Sequence, residues 1–283
     1  MNIYTTAHEL RQAIAEQRSH LVSIGLVPTM GNLHDGHLSL VKAAKHAGHW
    51  TIATIFINPT QFAAHEDLDN YPRTEEEDAR LLCSVNCDAL FLPSVDEMYP
   101  SGLNNITTVS TPQITDRLCG ASRPGHFDGV TTVVTKLFNL VGPDSAFFGE
   151  KDFQQLATIR KMCMDLNVPI EIVGVPITRA DDNLALSSRN GYLSSGERIL
   201  APKIYSALSQ CKTALLSKNS SHRALEAQYT EYLNNQGFQV DYFEICNTAT
   251  LRPSTRDDTS LVILAAAVLG TTRLIDNVTL TLN

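Results

Sequence analysis

No stretch of this chain is apolar for long enough to cross a membrane: the longest run, Leu261 to Leu269, is about half the ~18 residues that a spanning helix requires. The N-terminus has no signal-peptide core, so the cytoplasm is the expected compartment. Positive charge is scarce, with 22 Lys and Arg against 30 Asp and Glu for a formal net charge of −8. What there is lies scattered, which excludes the basic footprint that holds a nucleic-acid backbone or an anionic membrane. Cysteine is limited to Cys83, Cys87, Cys119, Cys163, Cys211 and Cys246, with no C-x-x-C pair. These read as small packed hydrophobes, not as a zinc ribbon or a redox motif. Internal repeats and low-complexity tracts are absent, and with 43% hydrophobic and 18% charged residues the chain has the composition of a globular protein.

What is present is an alternation of strand-like and helix-like segments over the first two-thirds, the pattern of a parallel sheet covered by helices. Leu21 to Pro28 reads as a buried strand, and Thr51 to Ile57 as a central one buried on both faces. Ala89 to Leu92 and Ala146 to Phe148 are shorter candidates, and Ile170 to Val175 is the last strand of this unit. Val130, Val133, Val134, Leu137, Leu140 and Val141 follow a 3.6-residue period, as do Leu156, Ile159, Cys163 and Leu166, so each set marks a helix lying on the sheet. Beyond Pro176 the pattern changes. Two helical stripes, Ile204–Leu208–Cys211–Leu215 and Leu225–Tyr229–Leu233, precede strands over Phe238 to Ile245, Leu261 to Leu269 and Thr272 to Leu280, with Gly237 as a helix stop. The expected fold is α/β, a Rossmann-like doubly wound parallel sheet over residues 1–176, followed by a smaller α+β domain over 177–283.

The segment Pro28 to His37 (PTMGNLHDGH) follows the first of these strands and precedes an amphipathic helix carrying Leu38, Val41 and Ala44. Ligands of open α/β sheets bind at the carboxyl ends of strands, where a helix N-terminus offers free N–H groups and about half a positive charge. Gly31 and Gly36 let backbone approach an anion. His34 and His37 are three residues apart, so their imidazoles project from one side of a first helical turn. A structural role in the turn and metal ligation are the other readings of such a pair, but for a metal no third ligand is obvious nearby. A G-x-G-x-x-G signature is absent, which argues against a hydride-transferring enzyme.

Two further segments belong with this one. Phe147 to Gln155 (FFGEKDFQQ) lies at a strand end and helix start, so Gly149, Lys151 and Asp152 open onto the same sheet edge. Lys151 can meet a phosphate as a point charge, and Asp152 is either a helix cap or a ribose or metal contact. Leu184 to Asn190 (LALSSRN) concentrates two hydroxyls and the Arg189 guanidinium, which can fork onto phosphate oxygens. Asn58 reads as a strand-end turn residue or a brace for a pocket. In ASRPGHFDG, the chain leads into a helix starting near Asp128, which would cap it. For Arg123 and His126, loop ordering, helix capping and a dimer contact all stay open.

A His-x-Gly-His motif followed by a basic, Ser-containing loop resembles the nucleotidyltransferase superfamily that includes the class I aminoacyl-tRNA synthetases. Within it, PTMGNLHDGHLSLV, FINPTQF, YPRT, GASRPGHFDGV, FFGEKDFQQL and ALSSRNGYLS, in that order and spacing, are similar to the pantothenate synthetase (pantoate–β-alanine ligase) family over most of residues 22–195. The resemblance implies an ATP-dependent ligase that condenses pantoate with β-alanine through a pantoyl adenylate, releasing AMP and pyrophosphate. It also implies a cytoplasmic, Mg2+-dependent homodimer whose partners are these small molecules. Carried onto matching positions, Met30, Gly31, Asn32, Leu33, His34, Asp35, Gly36 and His37 would bind ATP. So would Gly149, Glu150, Lys151 and Asp152, and Leu186, Ser187, Ser188 and Arg189. Gln61 and Gln155 would hold pantoate, with Gln61 also near β-alanine. His34, His37, Lys151 and Arg189 would be catalytic, and the C-terminal domain would close over the ATP site by a hinge near Pro176. The rival reading is a nucleotidyltransferase that moves AMP onto a phosphorylated acceptor and stops there.

Overall fold

A computed structural model of the chain describes residues 1–63, 68–69, 71–217 and 221–282. Two compact units emerge, one of Met1–Glu150 with Gln155–Pro176, the other of Lys151–Gln154 with the chain from Ile177 onward. The short Lys151–Gln154 segment thus groups with the second unit and not with the sheet that precedes it in sequence.

The first unit runs β1 (Asn2–Tyr4), α1 (Ala7–Ser19), β2 (Ile24–Thr29), α2 (Asp35–His46), β3 (Trp50–Ile55), α3 (Glu75–Ser84) and β4 (Ala89–Phe91). Two single-turn helices follow, α4 (Val95–Met98) and α5 (Cys119–Ser122), then α6 (His126–Val141), β5 (Ser145–Gly149), α7 (Phe153–Asp165) and β6 (Glu171–Val175). The six strands are all parallel, in the order β1-β4-β3-β2-β5-β6. From β2 the chain winds outward through β3 and β4, then returns to place β5 on the other side of β2. The β2/β5 boundary is therefore the topological switch point, where an open sheet leaves a crevice beyond its strand ends.

Burial explains the strand sequences. Ile24, Leu26, Ile52, Ala89 and Phe91 face one side, in a core with Val130, Val134, Leu137, Leu156 and Ile159 from α6 and α7. Val27, Ala53, Ile55, Leu90 and Phe147 face the other, against Leu38, Val41 and Ala44 of α2 and Leu82 of α3. Strands covered on both faces are apolar at consecutive positions, which is why they read as continuous runs.

Several boundaries differ from expectation. The strand expected from Leu21 starts at Ile24, because Leu21 is a turn residue with φ 59° and 95% exposure. The α6 helix begins at His126 with Gly125 as its N-cap, so Asp128 lies inside the first turn and does not cap it. The apolar period runs one turn further back than the valines, through buried Phe127. Leu166 falls past the end of α7 and is exposed. Neither β1 nor α1 is among the expected elements, although Thr6 and Glu9 form a capping box ahead of buried Leu10 and Ile14.

The second unit contains α8 (Ser195–Leu200), α9 (Lys203–Leu216), α10 (His222–Asn235), β7 (Gln239–Asn247), β8 (Ser260–Leu269) and β9 (Thr272–Thr281). The strands form an antiparallel sheet in the order β7-β8-β9. Its inner face packs on Ile204, Leu208, Cys211 and Leu215 of α9 and on Leu225 and Leu233 of α10, the two stripes of the sequence. All six cysteines are free thiols, four of them buried; burial pushes the Cys211 thiol up to about 12, so it stays a neutral core group. Among the described residues no helix is long and apolar enough to cross a membrane.

Candidate active site

At the switch point the chain leaves β2 at Thr29 and passes through Met30–Leu33 into α2. Gly31 has φ +83°, and a Cβ there would lie 3.1 Å from both Asp78 Oδ2 and Ile55 Cγ2, so only glycine makes this turn without strain. The Asn32 and Leu33 N–H groups donate to Asp78 Oδ2 and Oδ1 at 2.9 and 2.8 Å, and the Thr74 hydroxyl donates to Oδ2 at 3.1 Å. Asp78 is buried on α3 beside Leu82. Sequence reasoning missed it; the signal available was an acid on the apolar face of a short helix, which is costly unless paired.

His34 is the N-cap of α2, and Asp35, exposed, opens its first turn. The Gly36 N–H donates to His34 Nδ1 at 3.1 Å, and the His34 N–H donates to His37 Nδ1 at 3.4 Å. The two rings stand with centroids 4.2 Å apart. Because each Nδ1 accepts a backbone hydrogen, the neutral form of each ring carries its proton on Nε2. The pair satisfies two of the orphan N–H groups of the helix start and converts each ring into an Nε2–H donor beside the positive end of the α2 dipole.

One strand over, β3 ends at Ile55 and a 3-10 turn, Pro59–Gln61, follows. Asn58, 1% exposed, both caps and braces this turn. Its Oδ1 accepts the Thr60 hydroxyl and the Tyr99 hydroxyl at 3.0 and 2.8 Å, and its Nδ2 donates to the Gly129 carbonyl at 3.1 Å. Asn58 Nδ2 also donates to Gln61 Oε1 at 3.3 Å, and Gln61 Nε2 lies 2.7 Å from Met30 Sδ. The Gln61 amide is thereby set beside the β2–α2 loop. The Gln61 main-chain carbonyl accepts from His126 Nδ1 at 2.8 Å, while His126 Nε2 faces Arg123 Nη1 at 2.9 Å. A guanidinium can only donate, so His126 is the Nδ1–H tautomer. His126, the first residue of α6, thus holds the Gln61 backbone, and Arg123, the residue that closes α5, faces its other ring nitrogen. Gly129 makes the approach possible, since a Cβ there would sit 2.4 Å from the Thr60 carbonyl oxygen.

In the first unit β5 closes with Gly149, Glu150 follows it, and Gln155 stands half-buried on the first turn of α7. The remaining candidates belong to the second unit. Lys151 Nζ lies 3.6 Å from Asp152 Oδ2, and the Lys151 carbonyl accepts from Asn277 Nδ2 at 3.0 Å. Leu186 follows a tight hairpin in which Arg179 bridges Ala185 and Asn183 takes the left-handed turn at φ 71°. Ser187 then caps a 3-10 turn, Ser188–Tyr192, by accepting the Arg189 N–H, so Ser188 and Arg189 open that turn.

A doubly wound parallel sheet with a histidine-capped helix at its switch point places the chain among the Rossmann-like α/β enzymes. The family model described as pantoate-beta-alanine ligase matches residues 2–279. The pantothenate synthetase of Pseudomonas fluorescens (strain SBW25) is 53% identical over 283 residues, all of both chains. A crystal structure of pantothenate synthetase from Thermus thermophilus superposes with a TM-score of 0.91 at 42% identity, covering 98% of this chain and 99% of that one. A pantoate-beta-alanine ligase from Francisella tularensis, complexed with beta-gamma ATP and beta-alanine, superposes at 0.80 with 34% identity, covering 98% and 97%. The chain belongs to the pantoate-beta-alanine ligase family.

Proposed function

We propose that the chain carries out the family reaction with the residues named above. The chain is an AMP-forming ligase: ATP and pantoate give a pantoyl adenylate and pyrophosphate, and β-alanine displaces AMP to form pantothenate. In the first step a pantoate carboxylate oxygen attacks the α-phosphorus and the bond to the bridging oxygen of pyrophosphate breaks. Negative charge then grows on the equatorial oxygens and on the leaving group. In the second, the β-alanine amine attacks the acyl carbon, AMP leaves with the C–O bond pair, and the amine gives up a proton.

Residue roles follow from donor chemistry. Pantoate is already ionised at neutral pH, so the first step needs donors aimed at phosphate oxygens, not a base. His34 and His37 supply two Nε2–H groups at the start of α2, with the Met30 to His37 segment lining the phosphates. Lys151 and Arg189, with Gly149 to Asp152 and Leu186 to Ser188 around them, supply the remaining positive charge for ATP. Gln61 and Gln155 hold pantoate through neutral amides, which bind hydroxyls and carboxylate without lowering the nucleophilicity of the attacking oxygen.

Mg2+ enters as part of the ATP complex in this reading. Among the described residues no three His, Cys, Asp or Glu side chains gather as a metal cage, and a magnesium ion carried by phosphates and water asks the protein for only one or two carboxylates. A cytoplasmic homodimer belongs to the same proposal, and sedimentation velocity of the purified chain tests the dimer.

The observation that supports this most is the pair of Nδ1-capped histidines 4.2 Å apart at the switch point. Exchange of labelled pyrophosphate into ATP is the test: it should require pantoate and proceed without β-alanine. Exchange supported only by a phosphorylated acceptor would replace the ligase with a nucleotidyltransferase.

A further inference from the structure

The RLIDN string, Arg273 to Asn277 on β9, has no role in the chemistry above, yet two of its side chains reach both ATP-directed segments of the second unit. Asp276, 2% exposed, accepts both arms of the Arg179 guanidinium, Nη1 at 2.7 Å and Nη2 at 2.9 Å. It also accepts the Asn277 N–H through Oδ1 at 2.8 Å. Arg179 stacks on the Tyr205 ring, with 3.9 Å from Cζ to the centroid. Its Nη1 donates onward to the Asn183 carbonyl at 3.0 Å. Asn277, 3% exposed, sends Nδ2 to the Lys151 carbonyl at 3.0 Å.

The connectivity carries the argument. Arg179 lies on one side and Asn183 at the turn of the hairpin that delivers Leu186, Ser187, Ser188 and Arg189, and Arg179 fixes that hairpin to Asp276. Asn277 fixes the backbone of Lys151 to the next residue of the same strand. Two cations that are 38 positions apart in the chain, Lys151 and Arg189, are thus referenced to adjacent residues of one strand. Burial pushes the Asp276 carboxyl up, and the Arg179 fork opposes that shift. A buried carboxylate is costly unless paired and hydrogen-bonded, so the fork and the Asn277 N–H together hold it in one geometry.

We propose that Asp276 and Asn277 are positioning residues of the adenylation step, setting Lys151 and the Ser188–Arg189 turn at a fixed spacing for the ATP phosphates. This rests on the reading that Lys151 and Arg189 bind ATP, and the experiment separates the two. Asn277→Ala, Lys151→Ala and the double variant are compared by ATP and pantoate KM in pantoate-dependent pyrophosphate exchange, with thermal melting alongside.

Displacement of a binding group by about 1 Å can cost up to ~10²-fold. Asn277→Ala should therefore raise the ATP KM about tenfold, leave the pantoate KM within about twofold, and add nothing further once Lys151 is alanine. A merely structural asparagine would shift both KM values and add to the Lys151 effect. If Lys151→Ala raises the ATP KM and Asn277→Ala does not, or if the two effects multiply, the positioning role is overturned. If Lys151→Ala itself leaves the ATP KM unchanged, the ATP-binding reading of Lys151 falls, and the positioning role with it. Arg179→Lys keeps the charge facing Asp276 and gives up the fork, and in pair with Arg189→Ala it puts the same question if Asn277→Ala does not fold.

Discussion

Asp78 accepts the Leu33 backbone N–H at 2.8 Å from across 45 residues of chain, and takes the neighbouring Asn32 N–H with its other oxygen. One buried carboxylate on α3 thus fixes the loop that leads into the histidine pair. Replacing Asp78 with alanine leaves these donors unpaired, at about 1–3 kcal/mol each, and lets the loop drift. The expected outcome is a lower melting temperature together with a higher ATP KM. Asp78→Asn, which keeps one accepting oxygen, should fall between. A variant that melts with wild type and keeps the wild-type ATP KM would remove Asp78 from the site.

The two nitrogens of His37 have different duties, and amide side chains can imitate them one at a time. Asparagine places a polar atom near the Nδ1 position that caps α2, whereas glutamine reaches toward Nε2. Loss of one preorganised donor typically costs ~10²- to 10³-fold in rate. His37→Asn should therefore fold like wild type and lose turnover on that scale, while His37→Gln should melt lower and retain more activity. Steady-state kinetics and melting curves of both variants decide it; the opposite ordering of kcat would reverse the tautomer assignment.

Gly129→Ala introduces a methyl group 2.4 Å from the Thr60 carbonyl oxygen, closer than any real contact, so the Thr60–Gln61 turn must move. The pantoate KM should rise by roughly tenfold or more, in line with the sensitivity of binding groups to small displacements, with the ATP KM near wild type. Equal changes in both constants would show that the turn serves the whole crevice and not the pantoate side.

In the second unit, burial raises the Glu226 carboxyl above its ordinary value, against the pull of the Ile245 N–H that it accepts at 2.8 Å. Its folded-state value lies above its unfolded one, so the native state binds the proton more tightly. The stability this confers is complete below the unfolded carboxylate value and is lost as pH rises through the folded one. Glu226→Gln keeps an acceptor for Ile245 and has no charge to desolvate. Its melting temperature should exceed that of wild type at about pH 7–8, and the gap should close near pH ~4, around the ordinary carboxylate value. A gap that does not depend on pH would assign the effect to packing.

Chain order and local chemistry determined much of this protein. The apolar runs in β2, β3 and β5, the 3.6-residue stripes of α6, α9 and α10, and the His-x-Gly-His segment are statements about neighbours, and periodicity reads neighbours well. The family followed from the same short strings. Three-residue β1 was not legible, because Ile3 is exposed and the strand exists only by pairing with β4. Only the tertiary structure decided that Asp78 fixes the 31–33 loop, that Gly129 makes room for Thr60, and that Asp276 receives Arg179. Each joins residues tens of positions apart, and nothing in the local pattern of either partner specifies the other. The histidine tautomers were decided at the same level, since the proton sits opposite whichever ring nitrogen the folded backbone has already engaged.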